Sequence, residues 1–61
     1  MTIYLNIKTN NGIETVDEFT RETGQSPRDF RRYVNEMARN YRAAKMYVYQ
    51  SSRCTKDWKN R

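Results

Sequence analysis

Histidine is missing from this chain, cysteine and proline occur once each, and glycine only twice. Without histidine, general acid–base work falls to carboxylates, lysines and tyrosines, and Cys54 alone cannot assemble a zinc set. A single cysteine also excludes an intramolecular disulfide. Cys54 reads as a small half-buried side chain, and a lone thiol suits a reducing compartment. Gly12 and Gly24 stand apart, so no glycine-rich loop cradles a phosphate. Asp17 and Glu18 adjoin, so on a strand they face opposite sides and cannot work as a pair. Ser51 and Ser52 lack a neighbouring base. These absences argue against an enzyme: no catalytic residue, metal, cofactor or small-molecule substrate is expected. No apolar run approaches the roughly 20 residues of a membrane span, and the amino terminus has no signal-peptide core. The expected location is therefore the cytoplasm, away from a membrane.

What is present is charge and tyrosine. Residues 1–61 are expected to form one domain, and a chain this short buries only about 60% of its unfolded surface. Five tyrosines and 36% hydrophobic content keep it out of the disordered class. The net charge of +5 is unevenly placed. Before Pro27, Lys8 and Arg21 are outnumbered by Glu14, Asp17, Glu18 and Glu22. From Pro27 onward, ten Lys/Arg residues face only Asp29, Glu36 and Asp57. That asymmetry suits an anionic partner, most often nucleic acid.

The pattern of elements is legible along the chain. From Thr2 to Lys8, Ile3, Leu5 and Ile7 alternate with Tyr4, Asn6 and Lys8, which predicts a strand with one buried face. Asn10-Asn11-Gly12 then predicts a hairpin. With Asn11-Gly12 as a type I′ loop, Ile7 would oppose Val16, Lys8 would oppose Thr15, and Tyr4 would oppose Phe19. The second strand would run from Ile13 to Phe19. Thr15-Val16-Asp17-Glu18 is also a capping box, and this leaves an alternative open. A short helix from Val16, a turn at Gly24 and a second helix would resemble the DNA-binding helix-turn-helix, with Phe19, Phe30 and Tyr33 at its apolar positions.

Ser26-Pro27-Arg28-Asp29 is a helix start, with serine at the cap, proline in the first turn and an acid at the third position. The helix is expected from Pro27 to Ala44. One side collects Phe30, Val34, Met37 and Tyr41, flanked by Tyr33 and Ala44. The other carries Arg28, Arg31, Arg32, Arg39 and Arg42, with Asn35 among them. Met46 to Gln50 alternates again and predicts a third strand, with Met46, Val48 and Gln50 on one face and Tyr47 and Tyr49 on the other. Arg53 to Trp58 is either a short fourth strand or an ordered tail. The expected class is α+β: β-β-α-β order, a three-stranded antiparallel sheet, and one amphipathic helix on one face.

Thr15-Val16-Asp17-Glu18-Phe19, the Arg/Tyr-rich helix, the aromatic strand and Ser52-Arg53-Cys54-Thr55-Lys56-Asp57-Trp58 together resemble a group of very small open reading frames of bacteriophages and mobile elements. The resemblance is one of layout over nearly the whole chain. It implies the same β-β-α-β order and a phage-like origin in a bacterial host cell, and it implies no mechanism.

The functional expectation is a phage or mobile-element accessory protein that binds nucleic acid through the helix face and a basic tail. Arg28, Arg31, Arg32, Arg39 and Arg42 are the candidate phosphate contacts, extended by Lys45, Arg53 and Lys56, with Lys59 and Arg61 beyond. Tyr47 and Tyr49, with Tyr4, are candidates for base stacking or a dimer interface, against the plainer reading of cross-strand packing. Trp58 reads as a cap on the open end of the core. The alternative is a small protein that binds a host protein or defence nucleoprotein complex through an acidic surface, since arginine and tyrosine are enriched in binding hot spots. Homodimerisation through an exposed sheet edge fits either reading.

Overall fold

A computed structural model describes residues 1–55 and Trp58. The elements are β1 (Thr2–Thr9), β2 (Gly12–Thr20), helix α1 (Pro27–Ala43) and β3 (Tyr49–Ser51). The sheet is antiparallel with strand order β2-β1-β3, so the α+β class and the β-β-α-β order are as the sequence predicts. Residues 15–20 are strand, so no helix begins at Val16 and the helix-turn-helix alternative falls. No fourth strand is present among the described residues.

The hairpin register differs from the expected one. Thr9 pairs with Gly12, so the loop is Asn10-Asn11; neither loop residue is in the positive-φ region, and only Gly12, which opens β2, is, at φ 114°. A type I′ turn would need two such residues. The Thr9 hydroxyl organises this turn instead, accepting from the Asn11 amide at 3.1 Å and donating to the Gly12 carbonyl at 2.9 Å. Ile7 therefore opposes Glu14 and Lys8 opposes Ile13. A second irregularity follows between Leu5 and Asn6, where Leu5 pairs with Asp17 and Asn6 with Thr15, leaving Val16 as a bulge.

That extra residue flips the parity of β2. Beyond it Ile3 opposes Phe19 and Tyr4 opposes Glu18, so Phe19 joins the core instead of lying across from Tyr4.

The core lies between the sheet and α1. Leu5 and Phe19 meet Phe30, Val34, Ala38 and Val48, with Ile3, Ile7, Val16, Met37, Tyr41 and Met46 packed around them. Burying side chains such as Leu5, Phe30 and Val34 stabilises the fold by about 1.5–3 kcal/mol each. Ala38 was absent from the expected stripe, although it stands four residues after Val34. Tyr33 is more exposed than a flanking core residue would be, and meets Phe19 edge-on with ring centroids 5.5 Å apart.

The ends of α1 are built locally. The Ser26 hydroxyl accepts from the Asp29 amide at 3.1 Å, with Pro27 in the first turn. At the other end the Lys45 amide donates to the Arg42 carbonyl and the Met46 amide to the Tyr41 carbonyl, both at 2.9 Å. This is the Schellman pairing, and it places Lys45 at φ 66° in the left-handed region. No helix is long and apolar enough to cross a membrane among the described residues.

Candidate nucleic-acid interface

All five arginines of the helix row are exposed, because Phe30, Val34 and Ala38 turn the opposite side of α1 onto the sheet. Arg28, Arg31, Arg32 and Arg39 line one open depression with Pro27, Asn35 and Glu36. Arg31 and Asn35 mark its border with the sheet: Arg31 also lines a shallow hollow with Ile3 and Gln50, and the Gln50 amide donates to Asn35 Oδ1. Glu36 is the acid of this face.

Arg42 is held differently. Its Nη2 donates to the Val48 carbonyl at 3.4 Å, tying the end of the row to the loop before β3. It is the only one of the five with a hydrogen bond to the rest of the fold among the described residues. A guanidinium carries five N–H donors, so one such bond leaves the others available. Lys45, just past the helix end, is exposed and continues the row.

Arg53 does not join it. The sheet face away from α1 carries Tyr4, Asn6, Thr15, Glu18 and Tyr49, and the segment after β3 crosses that face as a strap. Asn6 Nδ2 donates to the Arg53 carbonyl at 3.0 Å, and the Thr55 amide donates to Thr15 Oγ1 at 2.9 Å. Thr15 Oγ1 in turn donates to Asn6 Oδ1 at 2.7 Å, and Trp58 Nε1 donates to Glu18 Oε2 at 2.9 Å. The Arg53 side chain is thus exposed across the sheet from the helix row. Trp58 bonds to a residue of this second face, where the sequence had suggested a cap on the core. Lys56, Lys59 and Arg61 lie outside the described residues.

Of the three tyrosines expected to share an aromatic face, Tyr4 and Tyr49 lie on the sheet face away from α1, since Tyr49 opposes Asn6 and Ser51 opposes Tyr4, while Tyr47 precedes the strand. Tyr4 is half-buried beside Cys54, where partial burial, then the Cys54 thiol and the Glu18 carboxylate, raise its phenol above the ordinary value. Cys54 is a free, half-buried thiol, as its composition-level reading suggested. Tyr49 stands in β3 opposite Asn6, and Tyr47 is in the preceding loop. The third strand is shorter than Met46 to Gln50 because the Met46 amide completes the helix cap and the Val48 amide donates to the Met46 carbonyl at 3.0 Å. Those backbone groups are spent locally, so pairing with β1 begins only at Tyr49. The alternation survives without the strand: Met46 and Val48 point inward, while Tyr47 and Tyr49 are exposed.

Sequence reasoning also missed one polar tie on the helix side. Tyr41 Oη donates to Asp17 Oδ2 at 2.7 Å, and this bond, with burial and the carboxylate charge, raises the Tyr41 phenol above 10.0. The signal for it would have been the β2 parity, which the bulge conceals.

No family model, curated protein or solved structure matches this chain.

Proposed function

We propose that this chain is a non-enzymatic nucleic-acid-binding protein in which α1 lays Arg28, Arg31, Arg32 and Arg39 along a phosphate backbone. Arg42 and Lys45 extend the contact past the helix end. The supporting observation is the exposed arginine row, presented on a helix whose other side is locked into the core. Guanidinium suits this work because it is always charged, planar and able to meet phosphate oxygens with two parallel bonds. The overall charge of +5 would draw a polyanion to the surface before any contact forms. The layout resemblance to small phage and mobile-element frames is the basis for reading the role as an accessory one.

Salt titration tests the reading. Binding through Z phosphates gives a slope of log affinity against log salt near −0.9Z for duplex DNA and −0.7Z for single strands. With four to six of these cations engaged, duplex affinity falls roughly 100- to 2,000-fold between 50 and 200 mM salt. Replacing Arg32 or Arg39 by glutamine should flatten the duplex slope by about 0.9 each.

A second reading is a protein partner with an acidic surface, a host protein or a defence complex. It is favoured by the apolar depression formed by Met37, Asn40, Tyr41, Ala44 and Met46 at the Arg42 end of the helix. Interfaces pair apolar and arginine anchors in this way. Absence of oligonucleotide binding at about 10⁻⁴ M in low salt, the weak end of non-specific affinity, would transfer the assignment to this reading.

A further inference from the structure

The arginine row ends at the loop that carries an exposed aromatic residue, Tyr47. Arg42 donates to the carbonyl of Val48, and Val48 is flanked by Tyr47 and Tyr49. The bond from the Val48 amide to the Met46 carbonyl closes a three-residue turn with Tyr47 at its apex. Tyr47 is outside the positive-φ residues, which makes this the common inverse γ-turn. On either side Met46 packs against the core and Val48 is buried within it. The turn is thereby pinned at both feet while its apex side chain stands 72% exposed, against 41% for Tyr49. Cross-strand packing cannot account for Tyr47, since it belongs to no strand and leaves most of its ring in water.

We propose that the ligand of the arginine row is a single-stranded nucleic acid, with its backbone along α1 and a base stacked on Tyr47. This rests on the nucleic-acid reading above and narrows it. In a duplex the base faces are occupied by neighbouring bases, so a tyrosine ring beside a phosphate contact adds little. A single strand offers those faces freely, and a ring next to a guanidinium row is how sequence-tolerant single-strand sites are built. Arg28 and Arg42 are fourteen residues apart, about 21 Å along the helix axis at 1.5 Å per residue. That length matches a strand on the order of six nucleotides at the stacked spacing of 3.4 Å. Tyr4, covered by the strap, takes no part.

The test is fluorescence anisotropy at low salt with a labelled twelve-nucleotide thymidine strand and a hairpin duplex of mixed sequence. The full chain is compared with Tyr47→Ala, Tyr47→Phe and Arg39→Gln. The strand should bind more tightly than the duplex. Tyr47→Ala should weaken strand binding roughly 5- to 150-fold, the range for loss of one stacked base, and leave duplex affinity and both salt slopes unchanged. Tyr47→Phe should retain strand affinity, because the π face persists. Arg39→Gln should weaken both ligands. Equal affinity for strand and duplex, or a Tyr47→Ala variant that binds the strand as the parent does, overturns this inference and leaves the arginine reading intact. Failure of both probes to bind overturns the two together. Thermal melting of Tyr47→Ala checks its fold, and a side chain this exposed should leave the transition in place.

Discussion

Leu5 and Asn6 are neighbours in β1, both buried, and they face opposite sides of the same sheet. Leu5 is covered by the apolar side of α1, with Phe30, Val34 and Ala38. Asn6 is covered by the strap after β3 and is satisfied at both ends of its amide, by the Arg53 carbonyl and by Thr15 Oγ1. Thr15, 1% exposed, closes the chain of bonds through the Thr55 amide. The two closures teach different things. Apolar burial is roughly proportional to area and indifferent to direction, so it sets which face of β2 turns to α1 but leaves open slips of two residues that keep that face. A buried polar chain tolerates no sliding, because a donor moved by one residue loses its acceptor and keeps its desolvation cost. The strap side therefore fixes which residue of β2 faces which residue of β1. The bulge at Val16 then lets the same strand serve the helix side. Without it Ile3 would oppose Glu18, and Phe19 would be turned onto the strap face.

The largest expected effect breaks the apolar closure. Phe30→Ala removes the largest fully buried side chain and should cost about 3–5 kcal/mol. For a domain of this size that approaches the whole stability. The expected result is loss of a cooperative thermal transition by circular dichroism. A variant that still melts sharply near the parent would show that α1 is not what holds the sheet.

Thr15→Val attacks the polar closure with almost no change of volume. Asn6 Oδ1 and the Thr55 amide are left unpaired, at a cost of about 1–3 kcal/mol. Denaturant unfolding should show the lower midpoint, and amide exchange at Thr55 should accelerate by more than the global loss accounts for. Unchanged protection of Thr55 would mean that the strap is held by something other than Thr15.

How much of this was legible in the sequence depends on the range over which each feature is decided. The helix is decided within a few residues: Ser26-Pro27 sets its start, and the spacing of Phe30 and Val34 sets its buried side. The arginine row follows from the same spacing, so the candidate surface could be named before the fold was known. The hairpin could be foreseen but its register could not, because Gly12 can serve either as a loop residue or as the first residue of the return strand. The bulge has no local signature at all, since Val16 suits an ordinary strand as well as a bulged one. The strap is the extreme case: Thr15 and Thr55 meet forty residues apart, and nothing near either one announces the other.

A smaller effect, of opposite sign, sharpens the comparison at the helix end that seals the apolar side. Lys45 occupies the left-handed position that a glycine fills at no steric cost. Lys45→Gly should stabilise by about 0.5–1 kcal/mol, the relief of strain being offset in part by glycine's greater freedom when unfolded. The melting temperature should rise by about 2–8 °C. Lys45→Ala keeps the strain and loses the charge, so it should not stabilise. If both variants behaved alike, charge rather than backbone conformation would be the cause.

The smallest effect uses one phenol on each side of the sheet. Tyr41, on the helix side, bonds to Asp17, and Tyr4, on the strap side, lies near Cys54 and Glu18. Both are raised above the ordinary value of 10.0, so the folded state holds each proton more tightly than the unfolded chain does. Their contribution to stability is complete below pH 10 and drains away as the pH rises through the folded value. Denaturation midpoints measured from pH 8 to 11.5 should be flat with respect to these groups at first and then fall. Tyr41→Phe should remove more of that fall than Tyr4→Phe, because a short bond to a carboxylate stabilises the protonated phenol directly. The reverse order would place the stronger proton linkage in the strap, and with it the tighter of the two closures at high pH.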